Sequence, residues 1–300
     1  MAPPETIPKV SVCVITYNQE KYIRQCLQSI VDQVTDFDFE VIVGDDCSLD
    51  GTRDIVREFA ERHPKIVKSI YQEKNIGGGV HNFLTVHRAA RGEYIAHVDG
   101  DDYCLPGKLQ AQADLLDSDP SCNIVFHRML LMRPTGEIKE GSLLNAKNIA
   151  EMRFDRGALI QFMAIGLHSS KMYRKALRDY DLPNFDLIDY FANVEQIGNG
   201  VARFVGYENY GVYRVGGGIA ASGIRSRQAL AESFTYFCKK YPECRLQVNT
   251  AALTYFIIDL KNWRKTWPMF FFVWVKTFHL GSVINLLRNL KFINKLRISN

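Results

Sequence analysis

Apolar positions in the first hundred residues alternate between two periods. Residues 10–16, Val-Ser-Val-Cys-Val-Ile-Thr, are β-branched and nearly continuous in apolar character, the pattern of a strand buried on both faces. Tyr22, Ile23, Cys26, Leu27, Ile30 and Val31 then recur at helical spacing. The alternation repeats with a strand at 39–43 and a helix carrying Ile55, Val56, Phe59 and Ala60, which Asp50 or Thr52 caps. A strand at 67–71, a helix over about 80–90 and a short buried strand at 94–98 follow. This order predicts a βαβαβαβ unit with right-handed parallel crossovers. Farther on, the pattern predicts a helix at 108–116, a strand at 123–132, an irregular stretch at 133–150 and a helix at 153–166. An acidic helix is expected within 182–199, with Asp186 and Asp189 on one face, and another helix at 227–241.

The strand at 94–98 runs directly into Asp99, Gly100, Asp101 and Asp102, and Pro106 stops any continuation. In open α/β sheets, ligands bind beyond the carboxyl ends of the strands. Three such ends deliver Thr16-Tyr17-Asn18, Asp45-Asp46 and the Asp99–Asp102 loop to one edge. Clustered carboxylates repel one another unless a cation or a hydrogen-bond network compensates. A hard divalent ion shared between one or two carboxylates and substrate phosphates does so. An isolated Asp-x-Asp is a common solvated turn, so the convergence of three loops is what gives this one weight.

Composition narrows the classes. Apolar content of 47% with 23% charged residues is that of a globular protein. Seven cysteines without a Cys-x-x-Cys pair suit unpaired thiols in a reducing compartment, and no Cys/His zinc signature is present. Residues 1–6 lack the basic and apolar regions of a signal peptide, from which a cytoplasmic location is expected. The net charge of +4 is uneven: residues 261–300 hold eight Lys/Arg and no acid, leaving 29 basic against 33 acidic residues elsewhere. That balance argues against a nucleic-acid partner. In the tail, Trp263, Trp267, Phe270, Phe271, Phe272, Trp274 and Phe278 interleave with Lys261, Arg264, Lys265 and Lys276. This is the composition of a helix lying on an anionic membrane surface, or of a packed helical pair that buries its aromatics.

Val14-Ile15-Thr16-Tyr17-Asn18, residues 40–52 (Glu-Val-Ile-Val-Gly-Asp-Asp-Cys-Ser-Leu-Asp-Gly-Thr), Asn75-Ile76-Gly77, residues 90–95 and residues 98–106 form a specific set in this order and spacing. The set resembles the inverting family-two glycosyltransferases of the GT-A fold, in particular bacterial enzymes of polysaccharide and lipopolysaccharide biosynthesis. It covers residues 9 to about 120. A weaker likeness continues to about 218 through Ser169-Ser170, Tyr173-Arg174, Asp189-Tyr190 and Tyr213-Arg214.

The resemblance implies an α/β, Rossmann-like GT-A domain over 1–220, with a mostly parallel central sheet flanked by helices. Within it, 9–120 would bind the nucleotide sugar and 121–220 would hold the acceptor and the catalytic base, followed by a helical extension over 221–300. It implies a nucleotide diphosphate sugar donor, with UDP-sugars favoured, a saccharide or lipid-linked saccharide acceptor, and Mn²⁺ or Mg²⁺ as cofactor. Attachment would be peripheral, on the inner membrane. Thr16, Tyr17, Asn18, Asp45, Asp46 and Asn75 would surround the nucleoside, with Tyr17 stacking on the base and Asp46 accepting from it. Asp99 would hold the ribose near the metal, Gly100 would lie against the donor, and Asp101 would ligate the ion. Arg214, followed by three glycines, would close over the phosphates. Asp189 corresponds to the general base of relatives, with Asp186 as runner-up, although Ile188-Asp189-Tyr190 departs from the family's motif on both sides of the Asp. His168 would contact phosphate or metal, or be structural.

Two other readings make distinct demands. A dinucleotide-dependent oxidoreductase requires a glycine-rich turn after the first strand, where Thr16-Tyr17-Asn18-Gln19-Glu20 has no glycine. A non-catalytic adaptor binding membrane through the tail would not need Asp101.

Overall fold

The structure, a computed structural model, describes residues 6–75, 77, 79–140, 149–163, 165–216 and 223–296. Ile76, Gly78, residues 141–148 and the glycines at 217 and 218 lie outside the described residues. The chain begins with β1 (Val10–Thr16), α1 (Ile23–Val31), β2 (Phe39–Asp45), α2 (Thr52–Arg62), β3 (Val67–Tyr71), α3 (Val80–Ala89) and β4 (Tyr94–Asp99). Next come β5 (Tyr103–Cys104), α4 (Lys108–Ser118), β6 (Cys122–Met132), β7 (Ile138–Glu140), α5 (Arg156–Phe162), β8 (Met172–Arg174), α6 (Asp189–Gln196) and β9 (Val201–Arg214). Four helices follow: α7 (Ile224–Lys240), α8 (Arg245–Lys261), α9 (Trp267–Lys276) and α10 (Ser282–Leu296).

The strands form one sheet in the order β3-β2-β1-β4-β8-β6-β9-β5, with β7 beside β6. The first four strands are parallel, as the alternating periods predict. Beyond them the sheet is mixed, because β8 runs antiparallel to both β4 and β6, and β5 runs antiparallel to β9. Side chains alternate across β1. Val10, Val12 and Val14 pack with α1, α2 and α4 on one face, while Cys13 joins Ile42, Ile95 and α3 on the other. Each fully buried aliphatic side chain in these layers contributes about 1.5–3 kcal/mol. The parallel register sets Thr16 opposite Asp45 and Ile15 opposite Asp99, so the loops after β1, β2 and β4 leave from a single edge.

Three local expectations are corrected. The helix expected over 153–166 is confined to α5: Phe154 pairs with Ala202, the Asp155 carboxylate caps the helix by accepting from Ala158 N, and Met163 has left-handed φ. In the stretch expected to be irregular, residues 138–140 form β7 against β6. The acidic helix begins only at Asp189, so Asp186 precedes it and does not share a helical face with Asp189. Residues beyond 220 are continuous with the body: Phe234, Phe237, Val248, Ala251 and Phe270 share one apolar cluster with Ile95 and Phe126.

Candidate active site

The loops after β1 and β2 are clamped together. Asn18, at φ 51°, donates its main-chain N–H to Ser48 Oγ and accepts from Leu49 N at Oδ1. Thr16 is buried and donates Oγ1–H to Gln19 Oε1 at 2.8 Å. Between them the Tyr17 side chain stands 42% exposed, an aromatic ring open to solvent at the sheet edge. Asp45 is fully buried and serves its own loop, where Oδ1 accepts from Ser48 N and Arg53 Nε. Asp46 is also buried. Its N–H donates to Thr16 O and its carbonyl accepts from Asn75 Nδ2 at 3.1 Å, which brings three of the expected nucleoside residues together.

The acidic loop docks beside them. Gly100 donates N–H to Ile15 O, and a Cβ there would stand 2.5 Å from Gln19 Oε1 and 2.9 Å from Thr16 Cβ, so only glycine fits. Asp102 is a strut: Oδ2 accepts from Ser169 Oγ and Oδ1 from Arg214 N. The Arg214 guanidinium donates to Asp101 O and Gln25 Oε1 and lies 4.8 Å from the Tyr22 ring centroid and 5.1 Å from that of Tyr103. Burial, then the neighbouring Asp99, push the Asp101 carboxyl up to about 6. Burial also opposes ionisation of Asp99, yet His168 and His97 together hold it well below the usual carboxylate range.

Behind Asp99 runs a buried hydrogen-bonded chain that sequence reasoning missed. Tyr173 Oη lies 2.7 Å from His87 Nδ1, His87 Nε2 3.0 Å from His97 Nδ1, and His97 Nε2 3.1 Å from Asp99 Oδ1. Burial, then His168, drive His97 down to about 3, and burial holds His87 well below its ordinary value, so both rings are neutral at pH 7. A neutral ring has one N–H and one lone pair. The Asp99 carboxylate only accepts, so His97 donates from Nε2 and accepts at Nδ1 from His87 Nε2–H. His87 Nδ1 then accepts from the Tyr173 hydroxyl. Replacing Tyr173 by Phe leaves that buried acceptor unsatisfied and is expected to lower stability by about 1–3 kcal/mol. The urea midpoint measures this, and an unchanged midpoint would contradict the buried Tyr173–His87 hydrogen bond.

His168 stacks on His97 with ring centroids 3.7 Å apart, and its Nδ1 stands 3.5 Å from Asp99 Oδ1. Its Nε2 is buried and has no hydrogen-bond partner among the described residues. A carboxylate beside one ring nitrogen is the arrangement that orients an imidazole to offer its other nitrogen to a metal ion. Donor atoms of His97, Asp99 and His168 lie within 4.8 Å of one another. Asp99 and His168 thus supply an oxygen and a nitrogen donor of a kind that fits Mn²⁺, and Asp101 lies two residues from Asp99 on the same loop.

Asp189, the first residue of α6, is exposed, with Oδ1 accepting from Tyr190 N. Asp99, Asp101, Asp102 and Asp189 all bear on Tyr213, whose hydroxyl is pushed up to about 12 by burial first and then by these carboxylates. Lys171, fully buried, joins the two sides. Its Nζ donates to Asn193 Oδ1 and Gln196 Oε1 of α6, and burial lowers it to about 8 against the pull of Asp189 and Asp99. Asp186 is not part of this constellation, because both of its carboxylate oxygens accept from Arg225.

Residues 11–179 match the family described as Glycosyl transferase family 2. An uncharacterized protein of Mycobacterium tuberculosis is 43% identical over 129 residues, 42% of this chain and 37% of that one. The poly(ribitol-phosphate) beta-N-acetylglucosaminyltransferase TarS of Staphylococcus aureus is 33% identical over 183 residues, 58% of this chain and 29% of TarS. The matched stretches therefore span well under half the length of these curated relatives. The crystal structure of TarS residues 1–349 in complex with UDP-GlcNAc superposes with a TM-score of 0.70 at 21% identity, covering 97% of this chain and 88% of that one. The mannosyltransferase PcManGT of Pyrobaculum calidifontis, in complex with GDP-Man and Mn²⁺, gives 0.57 at 22% identity, covering 97% and 82%. These likenesses show a shared GT-A architecture.

Proposed function

Because the chain belongs to glycosyl transferase family 2, we propose that it moves a sugar from a nucleoside diphosphate donor, a UDP-sugar in the first instance, to a hydroxyl of a saccharide or lipid-linked saccharide, inverting the anomeric carbon. A hydroxyl-bearing polymer is the acceptor class this reading favours, in keeping with the name of TarS, a poly(ribitol-phosphate) glycosyltransferase. One observation supports it: the exposed Tyr17 ring, the partly exposed Asp99 and buried Asp101 carboxylates and the unpartnered His168 Nε2 gather where β1 and β4 end, and the exposed Asp189 acts with those carboxylates on Tyr213.

In this reading Tyr17 offers a ring face to the base. Asp46 accepts from the base's imide N–H, and Asn75 steadies that loop through the Asp46 carbonyl. Asp99 holds the ribose, and Arg214 adds positive charge at the diphosphate. A Mn²⁺ or Mg²⁺ ion held by Asp101, Asp99 and His168 would supply Lewis-acid stabilisation of the charge on the departing diphosphate. Asp189 takes the proton of the acceptor hydroxyl as its oxygen bonds to the anomeric carbon. The bond from that carbon to the β-phosphate oxygen breaks, and its electron pair leaves with the nucleoside diphosphate. Lys171 fixes α6, and with it Asp189, to the sheet that carries Asp99.

Proton NMR of the chain with Mn²⁺ and a panel of UDP-, dTDP- and GDP-sugars tests this. Slow release of nucleoside diphosphate from one α-linked donor is expected, with the freed sugar appearing first as the β anomer. Release of the α anomer first would overturn inversion, and no release from any donor would overturn the reading.

A further inference from the structure

Helix α10 packs inward through Leu286 and a row of polar residues. Asn285 Nδ2 donates to Gln161 Oε1 at 2.8 Å and Thr250 Oγ1 at 3.0 Å, Asn289 Nδ2 donates back to Asn285, and Ser282 is buried. Its solvent side carries Val283, Ile284, Leu287 and Leu290, with Ile284 57% and Leu287 62% exposed. The spacing 283, 287, 290 is one helical stripe. An ordinary surface helix of a globular protein shows the opposite arrangement, so this stripe is built to meet an apolar phase outside the chain. Helix α9 shares the feature. It packs against α8 through Trp274, in the cluster that also holds Leu286 of α10, and leaves Phe272 and Val275 outward. Trp263, at the turn between α8 and α9, is 91% exposed.

Charge identifies what meets this surface. Lys261, Lys265, Lys276 and Arg288 are exposed among these apolar residues, and the sequence holds no Asp or Glu after Asp259. Asp259 itself is buried, facing Arg227 and Arg264. A second copy of the chain would bring cations against cations with no acid to answer them, whereas an anionic bilayer supplies both the apolar depth and the negative charge. Among the described residues no helix is long and apolar enough to cross a membrane, so α9 and α10 would lie in the interface.

We propose that the outward faces of α9 and α10, with the Trp263 turn, dock the chain on an anionic lipid surface. Sedimentation of the full chain with vesicles of about one part phosphatidylglycerol to two parts phosphatidylcholine tests it, against pure phosphatidylcholine. Binding to the anionic vesicles is expected, weaker by at least about tenfold without phosphatidylglycerol or at about 0.5 M salt. The pair Ile284→Glu and Leu287→Glu is expected to weaken binding by about tenfold or more. Both positions are exposed, so thermal unfolding and donor hydrolysis should be unchanged. Absence of binding to anionic vesicles, or undiminished binding by the double variant, overturns the proposal. A lipid-free dimer in ultracentrifugation that the double variant dissociates also overturns it, because a second copy would then cover the face.

Discussion

Replacing Asp189 by Asn is expected to lower kcat for sugar transfer by about two to four orders of magnitude, with little change in donor KM. The amide keeps the shape of the side chain and its acceptor oxygen toward Tyr190 N, and it removes only the ability to take a proton. Because Asp189 is exposed, the change should leave folding intact. Asp186→Asn is the matched control. Its carboxylate is held by Arg225 at an exposed pair, so activity should stay within about twofold. An equal loss in both variants would contradict the assignment of the base.

The second large effect is expected at Asp101, where stability and activity should move in opposite directions. Asp101→Asn is expected to reduce donor turnover by about a hundredfold or more, because it removes a charged oxygen donor for the cation and diphosphate. The same change should stabilise the cation-free protein. The Asp101 carboxyl is pushed up to about 6, so the folded state binds its proton more tightly than the unfolded chain does. The sign follows from linkage: this group favours the fold below its unfolded value, and that contribution is lost as pH rises through about 6. At pH 7.5 the Asn variant should therefore be more stable by up to about 3 kcal/mol, with the gap closing near pH 4. Urea unfolding at both pH values measures it. A variant less stable than wild type at pH 7.5 would contradict the strained-carboxylate account.

How much of this was legible in the sequence depended on whether the cause was local. The parallel half was legible because β1, β2 and β4 are buried on both faces and alternate with helices whose apolar stripes are clear. The carboxylate edge was legible for the same reason: once those strands are parallel, Thr16, Asp45 and Asp99 must emerge together. Asp186 was misplaced because α6 begins only at Asp189, and its contact with Arg225, 39 residues on, is one that charge spacing cannot register. The Tyr173-His87-His97 chain was hidden by separation, since each residue reads singly as core. The one available signal was that His97 and Asp99 lie two apart on a strand, and hence on one face. For the tail only basic and aromatic composition was legible, and the contacts of Asn285 are what reveal a polar row of α10 turned inward.

The most direct test of the central claim, that Asp99, Asp101 and His168 create a cation-dependent diphosphate site, is calorimetric titration of UDP and GDP into the wild-type chain with and without Mn²⁺. One nucleotide should bind tightly with the ion and at least about tenfold more weakly without it, and Asp101→Ala should abolish the difference. Binding that ignores both the ion and Asp101, or no binding by either nucleotide, would contradict the account.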